Sequence, residues 1–550
     1  MIADEQTAER IGLTWLRAAL APAGAFGRRH ADASAPYGPG DEARARAEIA
    51  DVVALAKRLD RDGVARVRAA LRAVPEATPI VARARAGDAL SDVDFYELGR
   101  FVDALDALAH AWDAASDPDA DADEDAADLR PPQLGALRAV LAPGRDGAGF
   151  YLADAFALGL SAARAAVADA EAAFDARRAA IAALVRDAAG VDPVGDEFVV
   201  LRDVYDGPLP DGVRLVRETA TYRTAAIVVA APERDAALER LAEEEEGARR
   251  SLAERVAREA GAVADAAKAL GALDHALARI AFAQRWGACV PELVFDRIAF
   301  ADATFAPLAE ALAAHGRSYT PLSLELRGVA VLTGPNMGGK SAALAAVGFA
   351  CACVALGVPP PARAASLPLL SAIVWVGGEG PEDRARLLSS YAAEVVRARD
   401  TLATASSRVL VLVDEFARTT GPREGRALLI AFAEALGERG AFALLATHFD
   451  GVASAAGTPH LRIAGLRGAG FDAVTADDLD AALDAIDAAM DYRVVVDAGD
   501  GAAVSDALSL ARLLGLDARF IDRARALYGR DHSEPLPPQR MQFPVPEPEQ

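Results

Sequence analysis

The stretch "VLTGPNMGGKSAALAAVGFACACVALGV", Val331 to Val358, decides how the rest of the chain is read. Its segment Gly334–Ser341 fits the pattern G-x-x-x-x-G-K-[ST], a loop set between a strand and a helix. Glycines at these positions let backbone N–H groups converge on phosphate oxygens, and the helix that follows adds its positive end. The short apolar run "VAVL" (329–332) supplies the strand, and the uncharged run Ser341–Val358 supplies the helix. A run without charge also suits a membrane span. This one is rich in alanine and glycine, hence weakly hydrophobic, and it is fixed to a loop that must face water. It therefore reads as a helix buried nearly all round inside an α/β domain. Gly334, Pro335, Asn336, Met337, Gly338 and Gly339 are expected to wrap the phosphates of a nucleotide. Lys340 is expected to neutralise the β- and γ-phosphates, and the Ser341 hydroxyl to bind Mg²⁺.

Two further runs complete the pattern. "RVLVLVDE" (408–415) carries Asp414 and Glu415 to the end of a strand. Asp414 suits Mg²⁺, and Glu415 suits orienting an attacking water, because phosphoryl transfer relies on positioning and charge neutralisation. "AFALLATH" (441–448) ends a third strand at His448, placed to sense the γ-phosphate or the water. Tyr319, upstream of the first strand, is the candidate platform for adenine. The cofactors expected are ATP and Mg²⁺.

Composition narrows the class. The 550 residues carry a formal net charge of −23, which argues against a broad grip on nucleic acid while leaving room for a local basic patch. Lysine occurs at Lys57, Lys268 and Lys340 only, so one of three falls inside the phosphate loop. Cys289, Cys351 and Cys353 form neither a metal pattern nor a disulfide framework and fit a reducing cytoplasm. The opening "MIADEQTAERIGL" lacks the layout of a signal peptide.

Apolar spacing of three and four divides the chain. Residues 1–190 read as a helical core and lever, with an acidic loop at 116–132. Residues 191–232 read as a short clamp-like β insertion, from "EFVVL", "VRLV" and "AAIVVAA", and 233–290 as a returning lever helix. Residues 291–480 alternate strand and helix, as a mostly parallel sheet covered on both faces does. Residues 481–530 read as helical and 531–550 as a disordered Pro-rich tail.

"TGPNMGGKS" resembles the phosphate loop of the MutS family, the DNA mismatch-repair ATPases; the Asn-Met pair separates it from generic loops. "RLLSSYAAEV" takes the place of that family's signature segment, matching it in type at Ser389, Ser390, Tyr391 and Glu394, with Leu387 and Leu388 where the family has glycine and arginine. "DEFARTTGPREG" is similar to the family's stretch after Asp-Glu, with Ala417 and Thr419 in place of two glycines. The resemblance implies a P-loop ATPase domain of ABC type, a C-terminal helical segment that pairs subunits, and a homodimer with composite sites. The signature serines, Ser389 and Ser390, would then reach the nucleotide held by the other subunit.

Family members that read mismatches carry a Phe-x-Glu motif in a preceding domain. Here Phe95, Tyr96 and Glu97 form such a triplet inside an amphipathic helix, so the helix reading is preferred. The resemblance thus implies a truncated form without mismatch recognition. The insertion 191–232 holds Arg202, Arg214, Arg217 and Arg223 against seven acids, and "EEEE" (243–246) follows, which makes a poor grip on phosphates. Two partner classes follow. One is double-stranded or branched DNA, as in repair or recombination. The other is a protein client, as in the MutS-like reactivating factors of adenosylcobalamin-dependent aminomutases. No membrane partner is expected.

Overall fold

The computed structural model describes residues 2–115, 129–146, 149–335, 338–377, 390–418, 420–466, 488–497, 508, 511 and 515–528. Six strands form the main sheet, in the spatial order Met490–Val496, His460–Leu466, Val329–Thr333, Phe442–Ala446, Val409–Asp414, Ala372–Val376. All neighbours are parallel except the Met490–Val496 edge, which runs antiparallel to His460–Leu466. Side chains alternate across a strand, and the two faces part accordingly. Leu410 and Leu412 pack with Leu344, Val347 and Phe349 of the helix Lys340–Ala355. Val409, Val411 and Val413 pack with Leu429, Phe432 and Leu436 of the helix Pro422–Glu438. A sheet covered on both faces needs strands that are apolar throughout, and Val329–Thr333 and Phe442–Ala446 are buried at every position.

Every residue from Ala343 to Ala355 is buried, as a helix enclosed on all sides requires. Gly348 permits that enclosure. A Cβ there would meet Ile11 Cγ2 at 2.5 Å and Leu412 Cδ1 at 2.9 Å. No described helix is long and apolar enough to cross a membrane.

Three sequence-based expectations need correction. The segment 2–20 does not belong with the helical core: Ile2, Ile11, Leu13 and Leu16 are buried in the same cluster as the sheet and the loop helix. Its helix Glu5–Arg10 lies on the strand Ala372–Val376, because Thr7 Oγ1 accepts from the Trp375 N–H at 3.0 Å and closes an exposed sheet edge. At the other end, residues 490–496 form a strand and not a helix. The run Val494–Val496 is β-branched, and pairing with His460–Leu466 outweighs the helical character of its surroundings. The sheet therefore reaches past residue 480. Lastly, the returning lever is two helices, Pro232–Arg258 and Ala260–Trp286, with Glu259 as the break between them.

A second cluster forms the helical region. Phe95, Leu98, Phe101, Leu105 and Leu108 of the helix Asp92–Ala115 pack with Leu252, Val256, Leu270, Leu273 and Leu277. Phe95 is fully buried, with its ring 5.2 Å from that of Phe150. From this cluster the helix Leu160–Ala189 runs alongside Pro232–Arg258. At their far end sits a three-stranded antiparallel sheet of Glu197–Leu201, Tyr222–Ile227 and Val213–Glu218, in that spatial order. Its small core holds Val185, Ala189, Phe198, Val200, Ala225 and Ile227. Most of the acidic loop (116–128), the tail 531–550 and about half of 481–530 lie outside the described residues.

Candidate functional site

The site lies where three parallel strands end. Val329–Thr333 leads into the loop, Val409–Asp414 ends on the acid pair, and Phe442–Ala446 is followed by Thr447 and His448. Crossing bonds hold the three ends in register. The Thr447 N–H donates to Leu332 O at 3.0 Å, and the Glu415 N–H donates to Ala446 O at 3.0 Å.

The loop needs its glycines. A Cβ on Gly334 would meet Ile463 Cβ at 2.8 Å, and one on Gly338 would meet Pro335 O at 2.8 Å. Gly339 has φ 87° and starts the helix. Lys340 is buried, and its ammonium donates to Gly334 O at 3.0 Å and Pro335 O at 3.2 Å, with Glu415 Oε1 at 4.0 Å. Burial lowers its pKa, and Glu415 and Asp414 oppose that shift. Ser341 Oγ donates to Asp414 at 2.9 Å to Oδ2 and 3.1 Å to Oδ1. Burial raises the Asp414 pKa, and the bond from Ser341 opposes it. A hydroxyl and a carboxylate in contact at the positive end of a helix form the oxygen donor set that a hard divalent cation takes.

Glu415 has a backbone φ of 54°, a conformation that a non-glycine residue holds at a cost. Its carboxylate is flanked by Lys340 and by Arg418 Nη1, which donates to Oε2 at 3.3 Å. Ala417 repeats the strain at φ 62°. The Ala417 N–H donates to Glu394 Oε2 at 2.9 Å, and Glu394 is a buried carboxylate whose pKa burial raises. Glu394 lies in the helix Ser390–Thr404, so that helix is tied to the turn that carries Glu415. His448 is exposed, with its ring 4.4 Å from that of Phe449.

Of the expected residues, Gly334, Pro335, Gly338, Gly339, Lys340, Ser341, Asp414 and Glu415 are brought together. Asn336, Met337 and Ser389 fall outside the described residues, as does the Ser390 side chain. Tyr319 packs against the core, with its hydroxyl at the Phe305 backbone. A different aromatic borders the loop: a Cβ on Gly339 would lie 3.3 Å from Tyr492 Cδ1. Tyr492 belongs to the edge strand, and the β-branched run Val494–Val496 beside it is the sequence signal for that strand. The start of the loop has its own support, as Thr333 Oγ1 and His460 Nε2 are 2.8 Å apart.

Residues 330–528 match the family model for MutS domain V. The chain is 33% identical over 295 residues to an endonuclease MutS2 of Anaeromyxobacter sp. (strain Fw109-5), covering 52% of this chain and 34% of that protein. It is 35% identical over 220 residues to a DNA mismatch repair protein MutS of Granulibacter bethesdensis, covering 38% of this chain and 23% of that protein. Over 200 residues it is 36% identical to a DNA mismatch repair protein MutS of Thermus thermophilus, covering 36% of this chain and 24% of that protein. The chain thus spans about a third or less of the length of these relatives. The loop, the acid pair and the sheet that holds them lie inside the matched residues, and it is this part of the chain that is similar to the MutS family.

Proposed function

We propose that the chain binds ATP at Gly334–Ser341 and hydrolyses it with Mg²⁺. The observation that carries this reading is the contact of Ser341 with Asp414 beside Lys340 and Glu415. Ser341 and Asp414 are the residues that would hold the metal. Bound there, Mg²⁺ supplies neutralisation of charge on the β- and γ-phosphate oxygens. Lys340 leaves the carbonyls of Gly334 and Pro335 to bind the phosphates. Glu415, already oriented by Arg418 and by its strained turn, positions water for in-line attack. His448 stands on the neighbouring strand end to sense the terminal phosphate. Tyr492, and not Tyr319, is the platform we assign to the base, because its ring borders the loop.

A homodimer with composite sites follows from the family. Ser389 and Ser390 of one subunit would complete the site of the other, and Glu394 would pass closure on to the Glu415 turn. The relatives named for mismatch repair favour duplex or branched DNA as partner, bound by shape and without preference for a mismatch. The burial of Phe95 supports the second half of that statement, since a buried ring cannot wedge between bases. A second reading, a protein client, is favoured by the arm tip. Arg202 and Arg223 are paired there with Asp206 and Glu218, while Val199 and Leu201 face solvent.

Phosphate release measured with and without Mg²⁺, in the native chain and in Lys340→Ala, tests the ATPase. Metal-dependent turnover lost in Lys340→Ala, together with nucleotide binding, is expected. Turnover that persists in Lys340→Ala refutes it.

A further inference from the structure

The antiparallel pair at the edge of the main sheet, His460–Leu466 and Met490–Val496, touches the phosphate loop at both ends. Where the loop begins, a Cβ on Gly334 would meet Ile463 Cβ at 2.8 Å. Where it finishes, a Cβ on Gly339 would lie 3.3 Å from Tyr492 Cδ1. Just before the loop, Thr333 closes its strand as a buried residue, and its Oγ1 is 2.8 Å from His460 Nε2.

The His460 ring is also held from its other side. Its Nδ1 is 3.7 Å from Asp497 Oδ2, and the same oxygen lies 3.4 Å from Arg462 Nε. The backbone fixes both neighbours of the ring, since the Asp497 N–H donates to His460 O at 2.9 Å and the Val331 N–H donates to Pro459 O at 3.0 Å. A carboxylate facing Nδ1 favours the tautomer with its proton there. Nε2 is then the acceptor, and the Thr333 hydroxyl donates to it. A buried hydroxyl needs a partner in any case. That need alone would be met by any polar neighbour, and it leaves unexplained a ring secured at its second nitrogen by the same pair of strands that borders Gly334 and Gly339.

We propose that His460 is a positioning residue of the nucleotide site, which fixes through Thr333 the direction in which the chain enters the phosphate loop. The proposal rests on the ATPase reading above. Gly334 follows Thr333 directly, and its carbonyl accepts from Lys340 Nζ at 3.0 Å. Threonine is stiff at χ1, because two heavy atoms branch from its Cβ. A hydrogen bond to Oγ1 therefore restrains the backbone on which Gly334 is mounted. A loop that is already oriented loses less freedom when phosphate oxygens arrive. His460 thus acts on the grip of the phosphates and not on the attacking water, so ADP and ATP share its effect.

The test uses the full chain with Thr333→Val, which keeps the branched shape and removes the hydroxyl, and with His460→Ala, His460→Gln and the double variant Thr333→Val/His460→Ala. Binding of ADP and of a non-hydrolysable ATP analogue is measured with Mg²⁺, beside kcat, KM and the melting temperature. We expect each of Thr333→Val and His460→Ala to weaken both nucleotides about tenfold, the loss of one hydrogen bond to a buried partner, with KM rising by more than kcat falls. The double variant should be no weaker than the weaker single one, because both remove the same contact. His460→Gln, which can still accept from the hydroxyl, should recover part of the affinity. Weakening by His460→Ala that Thr333→Val does not share overturns the proposal, since the ring would then act on the nucleotide directly. Losses that add in the double variant, or a lower melting temperature with unaltered nucleotide affinity, overturn it as well. Failure of the native chain to bind either nucleotide is a different result and refutes the ATPase reading itself.

Discussion

Two sheets in this molecule show what burial does to a β-structure. The six-stranded sheet is enclosed by helices on both faces, and its central strands have no exposed side. The three-stranded sheet at the end of the helical arm is covered on one face only. On the strand Glu197–Leu201 burial alternates, with Phe198 and Val200 inside and Val199 and Leu201 outside. Enclosure holds Asp414 and Glu415 to a fixed position and lets a strained backbone persist at Glu415, because the surrounding packing over-determines it. In the open sheet the carboxylate at a strand end, Glu218, is paired with Arg202 and Arg223, and one face is left to solvent. One sheet places chemistry and the other offers surface.

The strongest way to break this contrast is at the acid pair. Glu415→Gln should leave nucleotide binding intact and lower turnover on the order of 10²-fold, because the amide keeps the shape but cannot take a proton. Single-turnover hydrolysis checks it, and undiminished hydrolysis would strip the enclosed sheet of its assigned role. The open sheet should answer in the opposite way. Arg214 and Arg217 lie on the strand Val213–Glu218 and are not paired with any described residue. Arg214→Glu combined with Arg217→Glu should leave ATP turnover unchanged. If DNA is the partner, the change should reduce the slope of log affinity against log salt by about two. An unchanged slope, with matched and mismatched duplexes bound alike, would move the partner assignment to protein.

Stability sharpens the comparison further. His275 and His30 meet in the helical region with ring centroids 5.4 Å apart. Burial lowers the His275 pKa to about 4, helped by the neighbouring His30 and opposed by Asp274. Burial also lowers the His30 pKa, helped by Arg279. A folded pKa below the unfolded value of 6.5 gives stability that is complete above pH 6.5 and is lost as pH falls toward 4. Thermal melts across that range should show the decline, and His275→Phe should flatten it. Smallest of all is Ala417→Gly. The left-handed backbone at φ 62° favours glycine, so the variant should gain about 1 kcal/mol in denaturant unfolding. A loss instead would show that packing of the buried Ala417 methyl, and not the backbone, sets the cost at that turn.

Much of the enclosed sheet was legible because its strands are uninterrupted apolar runs that end in chemistry. Val409 to Val413 can only be buried, and Asp414 can only follow at the strand end. The loop was legible for the same reason, since Gly334, Gly338 and Gly339 each sit where a side chain would collide or strain. Long-range partners were not legible. Thr7 closes a sheet edge at Trp375, more than three hundred residues away, and no local period announces it. Tyr492 meets Gly339 only because its strand joins the sheet at the far edge, beyond His460–Leu466. A strand of seven residues between stretches whose sequence reads as helical carries too weak a period to outvote its surroundings.

The helix Leu160–Ala189 has a mechanical consequence. At 1.5 Å per residue its 30 residues make a rod about 45 Å long. Arg279 Nη2, on the helix Ala260–Trp286 at the root of the arm, donates at 2.8 Å to Leu356 O, where the helix Lys340–Ala355 ends. A tilt of only about 5° at that root would swing the distant three-stranded sheet by ~4 Å, by the geometry of such a rod. An adjustment around a nucleotide too small to alter the packing of the core would thus be amplified into a stroke longer than a hydrogen bond.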